Sequence, residues 1–237
     1  MGDEENTGGD QDVRNRDGAQ SPGRLSAACY PLRVLTPETE AAGEDAERRV
    51  VLHGISWAAY LAIGKALGET TSIRLAYLRG ALEIMSPSDL HEARKTSIHN
   101  LLFAYAQERD LFLTGYGSTT FRKRVKACGA EADQCYVLRD PRGKRVLAPD
   151  LAIEVVLSPW SLAKQAIYAE LGVKELWLVR RGGIEVHVLR GGTYRGTVRS
   201  HLLPDLDLEL LWRFVDRTDH VRAVQDYRRA LRDPVKA

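Results

Sequence analysis

The sequence predicts an α/β fold whose elements run helix, strand, strand, strand, helix, strand, followed by a β-meander. Three observations carry this expectation. The run Pro149-Asp150-Leu151-Ala152-Ile153-Glu154-Val155-Val156-Leu157 has the β-branched, apolar composition of a strand buried on both faces. Two helix-start signatures, Ser86-Pro87-Ser88-Asp89 and Ser158-Pro159, stand on either side of it. Beyond it, the turns Gly182-Gly183 and Gly191-Gly192 set off two short alternating segments as a meander.

The bulk composition restricts the class. The 237 residues suffice for one domain with appendages, and 44% apolar with 28% charged residues gives both a core and a solvated surface. No run approaches the roughly 18–20 apolar residues of a membrane span, and the N-terminus lacks a basic stretch followed by an apolar one. A cytoplasmic protein with no membrane partner is expected. Cys29, Cys128 and Cys135 are scattered, with no CxxC pair, so neither a disulfide framework nor a zinc knuckle is suggested. The net charge of +2 is uneven: residues 1–24 hold six acids against three arginines, which leaves a mildly basic body able to meet a polyanion.

Taken in order, residues 1–48 read as a disordered extension and linker, 49–215 as the folded domain, and 216–237 as a basic, helical tail. A short amphipathic helix is expected from Ser56 to Leu67, stopped by Gly68. Arg74–Leu78 and Leu82–Met85 form a hairpin with Gly80 in the turn. The helix opened by Ser86-Pro87 runs to about Arg109, with Leu90, Ile98, Leu101, Leu102 and Tyr105 as its apolar stripe and Glu92 beside it. Read alone, Glu92 suits a solvated acid near a helix N-terminus.

A strand over Gly117–Val125 and onward alternates Arg122, Arg124 and Lys126 onto one face. These are either edge-strand charges that block aggregation or a stripe of phosphate contacts. Glu131–Leu138 reads as the next strand, with Asp133, Cys135 and Val137 sharing a face and Cys135 as a small buried filler. A turn at Asp140–Lys144 returns the chain to the Glu154 strand, so an antiparallel hairpin sets Asp133 beside Glu154. The following helix, capped by Ser158-Pro159 and ended by Gly172, puts Lys164, Tyr168 and Leu171 on one face. Leu176–Val179 is another buried strand, and Pro204–Trp212 closes the domain.

Glu154 is the anomaly within this pattern. A buried carboxylate needs a cation, a metal or a proton. Acids converging from two adjacent strands, Asp133 and Glu154, with Glu92 on the first helix, make an oxygen-donor set of the kind that holds Mg²⁺ or Mn²⁺. Lys164, at the start of the next helix, can reach back to them.

Several segments carry a resemblance: Leu82-Glu83-Ile84-Met85-Ser86-Pro87 running into His91-Glu92, Gly117–Arg122, Glu131–Tyr136, Pro149–Val156, and Lys164 through Tyr168 to Gly172–Trp177. Over about residues 50 to 212 the chain resembles the Uma-two family of restriction-endonuclease-like proteins, a branch of the PD-(D/E)XK nuclease superfamily. The resemblance implies a restriction-endonuclease-like core, αβββαβ, with a central mixed sheet flanked by helices, and metal-dependent hydrolysis of phosphodiester bonds in DNA. It implies Asp133 and Glu154 as ligands of Mg²⁺ or Mn²⁺, Glu92 as an auxiliary acid and Lys164 as the catalytic ammonium. Arg122, Arg124 and Lys126 would contact DNA. Asp150 shares the Glu154 face but lies roughly 13 Å along the strand, so it is at most a helper and otherwise a strand-start residue held by local amides. The chain departs from the superfamily pattern at Val156, where a lysine usually stands two residues after the strand acid, and Lys164 must supply that charge. If it does not, the chain is a catalytically silent module that binds nucleic acid or a protein. A homodimer would suit a double-strand cutter.

Overall fold

The computed structural model describes residues 47–68, 72–140, 142–143, 146–158 and 163–233. Of the extension and linker expected over residues 1–48, all but Glu47 and Arg48 lie outside them, as do Pro141, Lys144 and Pro159; Glu47 is buried and Arg48 begins a strand. The expected core order is present in α2 (Asp89–Glu108), β7 (Gln134–Val137), β8 (Leu151–Val155), α3 (Lys164–Leu171) and β9 (Glu175–Arg180), whereas the expected first strand, through Arg122, lies in another sheet and its place beside β7 is taken by the short β4 (Thr114–Gly115). With β10 (Gly183–Arg190) and β11 (Thr193–Thr197), these strands form a six-stranded sheet in the order β11-β10-β9-β8-β7-β4. Only β8 and β9 pair in parallel, the single pair joined through a helix, so the sheet is mixed.

A second, antiparallel sheet of five strands has the order β1-β3-β2-β6-β5, from β1 (Arg48–Leu52), β2 (Arg74–Leu78), β3 (Ala81–Ser86), β5 (Thr120–Lys123) and β6 (Cys128–Glu131). Strands β2 and β3 are joined by Arg79-Gly80, both at positive φ, as a two-residue primed turn requires. Ser56 caps α1 (Trp57–Leu67), its Oγ accepting from the Ala59 amide at 3.1 Å, and Gly68 ends it at φ +65°.

The two faces of β8 separate the interior. Ile153 and Val155 pack with Ile98, Leu101 and Leu102 of α2 and with residues of α4 (Leu208–Val215) and α5 (His220–Arg232). Ala152 and Val156 pack with Ile167, Tyr168 and Leu171 of α3 and with Ala76, Phe121 and Ala130 of the five-stranded sheet. The expected C-terminal helix is integrated into this core: Ala223, Tyr227 and Leu231 are buried, and Arg228 and Arg232 pair with Glu108 of α2 at 2.6 and 2.7 Å.

Four local expectations are corrected. Helix α2 starts two residues late, with Ser88 as its cap, because Ser86 still pairs with Arg48 at the end of β3. The strand through Arg122 stops at Lys123, and Arg124–Lys126 form a 3-10 turn, so Arg122, Arg124 and Lys126 do not alternate along one strand. The strand expected over Glu131–Leu138 is two strands in different sheets, β6 and β7, and the chain crosses between them at Ala132-Asp133. Helix α3 starts at Lys164, and the Ser158 hydroxyl, expected as its cap, donates instead to Glu47 at 2.6 Å.

Candidate metal and ion-pair centre

The pairing of β7 with β8 positions the first two acids. Gln134 faces Ile153, so one residue further Asp133 comes opposite Glu154, and each carboxylate lies in the other's field. Glu154 is fully buried. Its Oε2 accepts from Lys164 Nζ at 2.9 Å, and its Oε1 accepts from the Tyr168 hydroxyl. Lys164 and Tyr168 are one helical turn apart, which is why a single face of α3 serves both oxygens.

Asp133 is held from two sides. The Val155 amide donates to Oδ2 at 2.8 Å, and Oδ1 faces His91 Nε2 at 3.0 Å. The other ring nitrogen of His91 meets Glu47 Oε1 at 2.6 Å. Glu47 Oε2 accepts from Arg49 at 2.5 Å, and the Arg49 guanidinium reaches Glu83 Oε1 at 3.2 Å. Lys164 Nζ closes the ring, 3.9 Å from the same Glu83 oxygen. Four acids (Glu47, Glu83, Asp133, Glu154) and three basic side chains (Arg49, His91, Lys164) thus form one network, with no side chain more than 7% exposed.

Burial opposes every charge in this network, and partners decide the outcome. Burial alone would lower the His91 pKa, but Asp133 and Glu47 raise it to about 9, so the ring is an imidazolium at neutral pH. Against the same burial, His91 and then Lys164 bring Asp133 down to about 2. Glu47 also falls to about 2, through the His91 hydrogen bond and the Arg49 charge. Lys164 is shifted upward because Glu154, Asp133 and Glu83 outweigh its desolvation. Glu154 is shifted upward by burial, with the Asp133 charge adding and Lys164 and Tyr168 opposing. With His91 charged, three basic side chains face four acids, and Glu154 is the acid that burial pushes toward its neutral form.

The other expected residues lie elsewhere. Glu92 is partly exposed and pairs with Arg74 at 3.4 Å and with Lys95; its neighbour His91 is the α2 residue that reaches Asp133. Asp150 accepts from the Leu138 amide at 3.0 Å and pairs with Arg139 and, at 2.8 Å, with Lys174, so it is satisfied at its own end of β8. Arg122 stacks on Tyr60, Lys126 pairs with Glu170 at 3.1 Å, and Arg124 lies on the 3-10 turn between them. Cys135 is buried; desolvation pushes its thiol up to about 12, and its Sγ donates to the Gly117 carbonyl. Val156 is core.

Glu47, Arg49, Glu83 and His91 were given no part in the centre by the sequence, and Tyr168 was placed only on the Lys164 face. Glu83 had a signal, an acid inside the apolar run Leu82-Glu83-Ile84, which is the same anomaly that singled out Glu154. His91 is a matter of helical phase, one residue before Glu92. Glu47 and Arg49 have no local signal.

The donor set has the chemistry to hold a hard divalent ion: carboxylates from neighbouring strands, more acids than basic side chains, and a buried oxygen, Glu83 Oε2, without a hydrogen bond among the described residues. No cage is preformed, since among the described residues no three His, Cys, Asp or Glu side chains are grouped as metal ligands. An ion would be held at Asp133 and Glu154 in exchange for contacts now made by Lys164 and His91.

Comparison with known proteins is informative at the family level. None of the curated proteins compared matches the chain. Among solved structures it is similar to "a putative nuclease belonging to DUF820 from Anabaena variabilis ATCC 29413", 15% identical over 68% of this chain and 99% of that one, with a TM-score of 0.48. No helix among the described residues is long and apolar enough to cross a membrane. The family model described as "Putative restriction endonuclease" matches residues 57–213, a span that holds His91, Asp133, Glu154, Lys164 and Tyr168. That match takes in well over half of the sequence, and the chain belongs to the Uma2 family.

Proposed function

We propose that the protein is a metal-dependent endonuclease that hydrolyses phosphodiester bonds in DNA, with Asp133 and Glu154 holding Mg²⁺ or Mn²⁺. The observation that carries this reading is the facing pair Asp133 and Glu154 with the Lys164 ammonium 2.9 Å from Glu154. A bound divalent ion would supply a hydroxide nucleophile from water and counter-charge for the phosphate. The protein's own residues do the rest. Val155 and Tyr168 fix one oxygen each of Asp133 and Glu154. His91, itself held by Glu47, faces the second Asp133 oxygen and would give it up to the ion. Lys164 orients the attacking water and offsets charge that builds up on phosphorus. Arg122, Arg124 and Lys126 contact backbone phosphates, and Glu92 acts on the substrate side by fixing Arg74 and Lys95. Asp150 keeps its local partners and helps only by pinning the start of β8.

A second reading, a catalytically silent module that binds nucleic acid, is favoured by one observation: the carboxylates are buried and already ion-paired. A plasmid-nicking assay in Mg²⁺ and Mn²⁺ separates the two. The nuclease reading expects nicking by wild type and none by Glu154→Ala. Nicking that survives Glu154→Ala removes this site from the reaction, and DNA binding without nicking in either metal selects the silent module.

A further inference from the structure

A cavity of about 520 Å³ opens beside the acid network, between α1, the start of β2 and the approach to β5. Ser118 and Glu131 in its wall tie it to the centre: the Ser118 hydroxyl donates to the Asp133 carbonyl at 3.2 Å, and Glu131 ends the strand that leads into Asp133. Leu67, Ile73 and Leu75 line one side. Among the described residues, the cavity's cations are Arg74, Lys95 and Arg122, and its acids are Glu92 and Glu131.

The cations are not equivalent. Arg74 is tied to Glu92 and Glu131, and Lys95 to Glu92. Arg122 has no carboxylate within ion-pair distance among the described residues. Its Nε donates to the Tyr60 hydroxyl at 3.2 Å, and its guanidinium lies over the Tyr60 ring, 5.5 Å from the centroid. Two glycines make room for this stack. A Cβ on Gly64 would lie 3.3 Å from Arg122 Nη2, and one on Gly129 would lie 2.6 Å from the Tyr60 hydroxyl and 3.2 Å from Arg122 Cγ. Glycine inside α1 weakens the helix, so the position favours Arg122 at the expense of its own element. An arginine held by its stem and stacked face still presents guanidinium donors, the geometry that suits phosphate oxygens.

We propose that this cavity is a phosphodiester subsite: it seats the phosphate next to the one cleaved at Asp133 and Glu154, with Arg122 as its anchor. The assignment rests on the nuclease reading above. Arg122, stacked on Tyr60 and without a carboxylate within ion-pair distance among the described residues, offers its donors to that phosphate, and Ser118 links the cavity wall to Asp133.

The test is equilibrium binding of a fluorescein-labelled DNA duplex to the full chain with EDTA present, followed by anisotropy over a salt series. Arg122→Leu is expected to weaken binding about tenfold and to reduce the slope of log K against log salt by about one. Gly64→Leu, which keeps the arginine but fills the cavity, is expected to weaken binding to a similar degree. Arg195→Leu on β11, far along the chain from the cavity, should change affinity less than about twofold. Folding of each variant is checked by its thermal melt. Unchanged affinity in both Arg122→Leu and Gly64→Leu would overturn the subsite, while the role of Glu154 would still stand on the nicking assay. A wild-type chain that does not bind the duplex would overturn both.

Discussion

His91 Nε2 and Asp133 Oδ1 face each other at 3.0 Å in the protein interior, with Glu47 on the other ring nitrogen at 2.6 Å. Charged imidazole between two carboxylates ties stability to pH. The folded-state pKa of about 9 exceeds the unfolded value near 6.5, so the His91 contribution is full below about pH 6.5 and lost as the pH rises through about 9. Glu47 and Asp133, depressed to about 2, have the opposite sign: they stabilise above their unfolded values near 4 and lose that contribution as the pH falls toward 2. Urea unfolding should therefore show maximal stability near about pH 5–6.5 and a loss on the order of 2–3 kcal/mol by about pH 10. Glu47→Gln should flatten the alkaline limb. A wild-type curve level from neutrality to about pH 10 would contradict the charge assignment.

Glu154→Gln preserves shape and removes charge. The amide can still accept from Tyr168 or Lys164, but the ammonium loses its nearest carboxylate and keeps Glu83 at 3.9 Å. Stability should fall by roughly 1–3 kcal/mol, and plasmid nicking should disappear at temperatures where circular dichroism shows the protein folded.

Val156 and Lys164 offer a transplant. Position 156 shares a strand face with Glu154, and its side chain packs against the α3 helix that carries Lys164. Val156→Lys alone puts a second ammonium into apolar packing and should destabilise by about 3 kcal/mol or more. Combined with Lys164→Ala it should nick at least about tenfold faster than Lys164→Ala alone, since one positive charge near Glu154 is restored. Equal rates would mean that the helix position itself is required.

Glu175 provides the structural control. This buried acid at the start of β9 accepts from Trp177 Nε1 and the Ser200 hydroxyl, both at 2.6 Å, and from the His201 and Leu202 amides. Glu175→Leu strands those donors and should cost about 3–5 kcal/mol, read as a lowered urea midpoint. Nicking per folded molecule should be unchanged.

Much of this was legible in the residues. Gly68, Gly80 and Gly172 marked the ends of α1, the β2–β3 turn and α3, because each occupies a positive-φ position that glycine tolerates best. Glu154 announced itself by breaking an apolar strand, and Asp150, four residues back, has its own local partners in Leu138 and Lys174. What stayed hidden depends on contacts between distant segments. The crossing at Ala132-Asp133 cannot be inferred from an unbroken alternating pattern, since only the partners, Ala76 and Phe121 for β6 against Ala152 for β7, divide it. Glu47 meets its partners 44 and 111 residues away. No local window contains that information.

Those long separations set the order in which the molecule can be made. Glu83 and His91 emerge early on one sheet and the helix that follows it, whereas Glu154 and Lys164 belong to the other sheet and to α3. A growing chain released only as far as β6 holds Glu47, Arg49, Glu83 and His91 but lacks both Asp133 and Glu154. The centre is consequently completed late, since its His91–Asp133 and Glu47–Ser158 contacts require distant segments to meet. A ribosome-bound fragment that ends before Lys164 should be unable to cut the nucleic acid around it.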